Sequence, residues 1–247
     1  MYNELQIFRP LTSKKLTQHF GENKACVRPN GAIIGTETTC PANTVPFYQS
    51  VGMDGHSGID IKAIVGEDVY HAATYDGWWS TEVDNAGGIG VDVISNEPLF
   101  FPFPIPTELI NTAVPHTQNG KVGFTHYVKM RYWHLHAPVG FTKKAIKCGT
   151  VIGMAGNTGA SSAPHLHFAP KWCLIDGRAV GNNNGYYGAF DPTPYYTHDY
   201  TALEHIKMLT PKAPVVPLSA VERKDMLESL NLAQRLLLEL QKLINKI

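Results

Sequence analysis

Residues 59–94 alternate apolar and polar side chains in short runs, "GIDIKA", "EDVYHAA" and "GGIGVDVIS", with glycines between them. A period of two marks strands that bury one face, so this region predicts short β-strands. Residues 127–136, "YVKMRYWHLH", predict another strand. "IKCGTVIGMAGNTG" predicts two very short strands punctuated by glycine, and "PHLHFAPKW" predicts one entered through Pro164.

Two stretches break this pattern. Residues 22–50 are rich in Gly, Pro, Thr and Asn, and residues 95–125 carry Pro98, Pro102, Pro104, Pro106 and Pro115 around "LFFPFPIP". Prolines at that density forbid an interior strand. An apolar loop of that length either packs over the sheet or borders a binding groove.

The pattern changes again near the end. "TPKAPVVPL", residues 210–218, reads as a stiff Pro-rich linker. Residues 219–247 contain neither Gly nor Pro and predict a long amphipathic helix. In it Met226, Leu230, Ala233, Leu237, Leu240, Ile244 and Ile247 step by 4, 3, 4, 3, 4, 3, an unbroken heptad seam. The expectation is a helix that holds the chain in a homo-oligomer or attaches it to a larger assembly, with a domain over residues 1–209 carrying the chemistry.

Composition narrows the class. With 21 Lys+Arg against 21 Asp+Glu, no global field favours nucleic acid or an anionic membrane. No apolar run is long enough to span a bilayer, and the start, "MYNELQIFRPLTSKKL", lacks the apolar core of a secretory signal. The cysteines are Cys26, Cys40, Cys148 and Cys173, none in a CxxC pair. A zinc ribbon is therefore not expected. Cys26 and Cys40 can close a loop within the 22–50 segment, and four free thiols fit as well.

The histidines carry the candidate chemistry. "HLHAP" at 134–138 returns as "HLHFAP" at 165–170, 31 residues on. Side chains two apart in a strand share a face, so an H-x-H strand aims two imidazoles at one place. "GHSGIDIKA" adds His56 and Asp60, four apart, in a turn that runs into a strand. A catalytic zinc takes three protein ligands of the His and carboxylate type and keeps one position open. Each fragment alone is weak, since solvated surface histidines and aspartates are common; together they offer a complete set.

"HSGIDIKA", "YWHLHAP", "GTVIGMAGNTGASSAPHLHFAP" and "AFDPTPYY" follow one another in the order H-x-x-x-D, Y-x-H-L, G-x-T-G, H-L-H-F. In this the chain resembles the lysostaphin-like (LytM-type) zinc endopeptidases of peptidoglycan, over about residues 50–196. The resemblance implies a mainly β fold, an antiparallel sheet with the site in a groove on one face, here with long inserted loops at about 22–50 and 95–125 forming its walls. It implies one zinc per chain, held by His56, Asp60 and His167. It implies that His165 faces the attacking water as general base and that His134 stands across the reacting carbonyl. His136 has no counterpart in the motif and reads as a rim or surface histidine. The other six, His19, His71, His116, His126, His198 and His205, read as structural or exposed.

The function so implied is a zinc metalloendopeptidase that hydrolyses cross-links or stem peptides of peptidoglycan. It would act at the cell wall, outside the cell or in the periplasm, and without a visible signal it would be delivered in a phage virion or by lysis. The rivals are a wall-binding module on the same fold and a structural virion or assembly protein in which hydrolysis is incidental or absent.

Overall fold

The strand Lys121–Pro138 organises the molecule. Along it Phe124, Val128, Met130 and Tyr132 enter the core, at even positions as period two requires. Lys129, Arg131 and Trp133 then face the other way. After Tyr132 the register with the strand Gly88–Ser95 shifts, and His134 takes a φ of +63°. This bulge reverses the parity, so that Leu135, an odd residue, is the next one buried in the core.

The computed structural model describes residues 1–209 except 23 and 141–144, and beyond them Leu236 alone. Among these residues eleven strands join one antiparallel sheet. Its main path runs Ala145–Ile146, Gly77–Asp84, Gly88–Ser95, Lys121–Pro138, His165–Cys173, Ile59–Lys62 and Leu16–Gln18. The other four are Leu99–Phe101, Val114–Gln118, Val151–Ala155 and Asp68–Tyr70. One face of the sheet closes on the core, where Ile59, Ile61, Val91, Val93, Leu166 and Phe168 pack. Fully burying each such side chain stabilises the fold by roughly 1.5–3 kcal/mol. The expectation of a mainly β, antiparallel chain is met. One further pair, Ile7–Arg9 with Tyr196–Thr201, runs parallel.

The two interrupted stretches fold differently. Within 22–50 the strands Ala25–Val27, Ile33–Thr36 and Val45–Pro46 form a separate small sheet, followed by one helical turn, Phe47–Ser50. A disulfide joins Cys26 to Cys40 with 5.5 Å between their Cα atoms; Cys148 and Cys173 are free thiols. Closing that 14-residue separation confines a segment with little apolar surface of its own.

The 95–125 stretch corrects the sequence reading twice. It is no structureless loop, because Leu99–Phe101 and Val114–Gln118 both pair with Lys121–Pro138. Pro98 and Pro102 bracket the first strand, so no interior hydrogen bond is lost. Nor does it wall the groove described below. Phe101 packs on Phe124 at 5.3 Å and on Trp172 at 4.8 Å, and Trp172 stacks on Phe190 at 4.0 Å. Burial of these rings draws the segment onto the core.

By contacts the chain divides into Met1–Leu209 and Thr210–Ile247. The Pro-rich linker and the heptad helix expected over 210–247 lie outside the described residues, apart from the helical, exposed Leu236.

Candidate metal centre and groove

His56 ends a turn that only glycines permit. A Cβ on Gly55 would stand 2.8 Å from the Gly21 carbonyl oxygen, and one on Gly58 would stand 2.6 Å from that of Phe168. The turn therefore lies directly on the strand His165–Cys173. Asp60 follows in the strand Ile59–Lys62, with its Cα opposite that of His167. His56 Nε2 and His167 Nδ1 are 2.9 Å apart, His56 Nε2 and Asp60 Oδ1 3.0 Å, and His167 Nδ1 and Asp60 Oδ1 3.2 Å. All three residues are buried.

The tautomers follow from the partners. His56 Nδ1 lies 3.0 Å from the His19 carbonyl oxygen, which can only accept. The Nδ1 therefore carries a hydrogen, and Nε2 is the nitrogen turned to the cluster. Burial would raise the Asp60 carboxyl, but His56 and the hydrogen bonds of His167 outweigh it and hold the group well below the carboxylate range. Burial pushes the His167 imidazole down to about 4, partly opposed by Asp60. A neutral His167 and an ionised Asp60 are the forms that bind cations. Four-coordinate zinc with bonds of ~2.0–2.1 Å separates neighbouring donor atoms by about 3.3 Å, so the three donors found here fit such an ion.

His165 stands beside this cluster, its Nε2 3.4 Å from Asp60 Oδ2. Its Nδ1 is 2.8 Å from the Ala163 carbonyl oxygen and 3.1 Å from Ser161 Oγ. The His134 ring is 4.5 Å from that of His165 and 6.1 Å from that of His167. His134 Nδ1 donates to the Thr158 carbonyl at 2.7 Å. Burial, then the neighbouring His165 and His167, depress the His134 imidazole to about 3. His134 is therefore neutral, with the lone pair on Nε2.

The "GNTG" turn at 156–159 holds His134 in place. Thr158 Oγ donates to the Leu135 carbonyl at 2.8 Å and accepts from the Ile89 N–H at 3.0 Å. Gly88, at φ +67°, brings its strand against this turn, where a Cβ would meet Thr158 C at 2.4 Å. Trp133 is a second beneficiary of glycine. Cβ atoms on Gly87 and Gly90 would fall 1.7 and 2.0 Å from its indole ring. The Arg131 guanidinium lies 4.3 Å over that ring, itself tied to Asp92 at 2.8 Å and Glu82 at 2.7 Å.

These side chains open into a groove of about 620 Å³. His56, Asp60, His134, His165 and His167 all line it; His136 does not, and is exposed. The insert at 22–50 supplies one wall through Ala25, Ile33, Phe47 and Tyr48. Tyr48, whose hydroxyl donates to Gln18 Oε1 at 3.3 Å, was invisible in the sequence, since no motif surrounds it. Its phenol is raised by burial and by the charge of Asp60. His71 and His126 are buried away from the groove on protein partners.

A scan against protein-family models finds no match, and neither does a search of curated proteins. Among solved structures, the chain is similar to the catalytic domain of the antimicrobial peptidase lysostaphin from Staphylococcus simulans, at 22% identity over 57% of this chain and 79% of that one, with a TM-score of 0.39. It is similar to a zinc-containing peptidase from Vibrio cholerae at 20% identity and a TM-score of 0.41, over 77% of this chain and 38% of that one. The catalytic domain of the prophage-encoded protein EnpA from Enterococcus faecalis matches at 17% identity and a TM-score of 0.36, over 68% of this chain and 88% of that one.

Proposed function

We propose that the chain is a zinc-dependent endopeptidase that hydrolyses peptide bonds in peptidoglycan cross-links or stem peptides. The observation that carries this reading is the convergence of His56, Asp60 and His167 in the lining of a groove, with the rings of His165 and His134 beside them. His56, Asp60 and His167 would hold one zinc per chain. Bound there, zinc supplies Lewis acidity for a water and for the scissile carbonyl.

The remaining work falls to the protein. His165, its Nδ1–H held by the Ala163 carbonyl, offers Nε2 to take a proton from the attacking water. The carbonyl carbon gains the oxygen, and the C–N bond breaks once its nitrogen has received a proton. His134 is refined from the sequence expectation. A neutral His134 with its only hydrogen on Thr158 accepts first, and becomes a donor to the oxyanion or the leaving amine after taking up a proton. No Ser or Cys nucleophile is needed, and Cys148 and Cys173 lie outside the groove lining.

Digestion of purified sacculi, followed by mass identification of the new termini, tests the activity. Zinc-dependent release of new amino termini is expected; undigested sacculi with a zinc-loaded chain would overturn it. The cell wall is the proposed place of action. Assembly through residues 219–247 rests on the heptad spacing alone, and a chain truncated after Lys212 should be an active monomer by light scattering.

A further inference from the structure

Two cations on the groove face of the sheet, Lys129 and Arg131, are neutralised. Lys129 lies 2.8 Å from Asp92, and Arg131 reaches both Asp92 and Glu82. Lys15 and Lys62 differ. Both line the groove, both are exposed, and neither makes an ion pair among the described residues. They are also neighbours across two strands. Leu16 pairs with Ile61, and the Lys62 N–H donates to the Lys15 carbonyl at 2.9 Å. Like charges at facing positions of an antiparallel pair are destabilising. Among the described residues, no acidic side chain apart from Asp60 lines the groove to relieve them.

Their position relates them to the reaction. Lys62 follows Asp60 by two residues on one strand, so both share a face, roughly 7 Å apart along it. Its Cα partner is His165. An extended peptide also advances ~3.3 Å per residue, so a group reaching these amines belongs to a residue two or three places from the bond being cut. Ala25, Ile33, Phe47 and Met53 add apolar lining to the same groove.

We propose that Lys15 and Lys62 form a carboxylate subsite, and that the substrate is an acidic peptide with a free carboxylate two or three residues from the scissile bond. An unbranched glycine bridge offers neither that charge nor a side chain for the apolar wall. This rests on the peptidase reading for its link to cleavage, while the subsite itself can be measured by binding alone.

The test uses the full chain, freed of metal to prevent turnover, and two probes. One is a stem-peptide dimer with free carboxylates; the other is the same dimer after carbodiimide amidation. Titration calorimetry should find the free-carboxylate dimer bound about tenfold more tightly, the product of two exposed ion pairs worth roughly threefold each. The ratio should shrink as salt rises. It should fall to about one in the double variant Lys15→Gln/Lys62→Gln, and persist in Lys62→Arg and in Lys14→Gln, an exposed lysine outside the groove lining. A parent ratio of one, or a ratio that survives the double variant, overturns the subsite. The zinc-loaded chain separates the two readings: cleavage without a carboxylate preference removes the subsite and keeps the peptidase, whereas preferential binding without cleavage does the reverse.

Discussion

The two His-Leu-His segments share a sequence and differ in backbone. In His165–Cys173 plain alternation places His165 and His167 in the groove and Leu166 in the core. The same alternation in Lys121–Pro138 would bury His134 and turn Leu135 outward. The bulge with His134 at φ +63° prevents this, delivering Trp133 and His134 to the groove and Leu135 to the core. A positive φ at a non-glycine residue costs about 1–3 kcal/mol. The Thr158 carbonyl and hydroxyl, together with the tight contact of Gly88, hold it there. The second segment presents two imidazoles at no backbone cost; the first presents one imidazole whose position depends on its neighbours.

The sharpest way to break this comparison is to remove one histidine from each segment. His167→Ala should abolish zinc binding and activity together, while His136→Ala, exposed and outside the groove lining, should stay within a few-fold of the parent. Zinc content by metal analysis and turnover on sacculi read both. Stoichiometric zinc in His167→Ala would remove it from the ligand set. A smaller effect is expected at the two histidines beside the cluster. His165→Ala and His134→Ala should keep zinc and lose ~10²–10⁴ in rate, the range for one acid–base or charge-stabilising group. Loss of zinc from His134→Ala would make the first segment a metal strand after all.

Thr158→Val tests the bulge itself. It deletes the donor to Leu135 and the acceptor for Ile89, which should cost ~1–3 kcal/mol of stability and lower the turnover that depends on His134. Zinc should remain, and unchanged melting and turnover would show that the bulge needs no such support. A further effect is in the pH dependence of the metal-free chain. Burial holds His134 at about 3 when folded, against ~6.5 unfolded, so below that value the unfolded chain binds the extra proton. Stability is full above about pH 6.5 and declines towards the folded value, by at most ~1.4 kcal/mol per pH unit for this site. Denaturant titrations between pH 7 and 4 should show a shallower decline in His134→Asn than in the parent.

Much of the site was legible because its motifs are local. His56 and Asp60 are four apart, and His165 and His167 two apart, spacings that strand and turn geometry turn into convergence within one element or its neighbour. The disulfide Cys26–Cys40 was one of two open readings, and the structure contains it. What sequence could not supply is contact across long separations. Tyr48, Trp133 and the Thr158 support for His134 have no mark in composition or period. The 95–125 segment was misjudged because prolines report on lost N–H donors and say nothing of the aromatic partners, Phe124 and Trp172, that make burial worthwhile.

By itself, then, the sequence determined the alternating strands and the glycine turns, because these follow from side-chain type and short-range backbone sterics, while the set of five groove residues was implied by the resemblance of its motifs. Only the tertiary structure showed why one of the two identical tripeptides contributes both its histidines and the other a single one. That choice is made by strand register, and register is set by burying Leu135 and by hydrogen bonds from Thr158, 23 residues away in the chain. Such a choice depends on distant partners, so a repeated tripeptide cannot carry it.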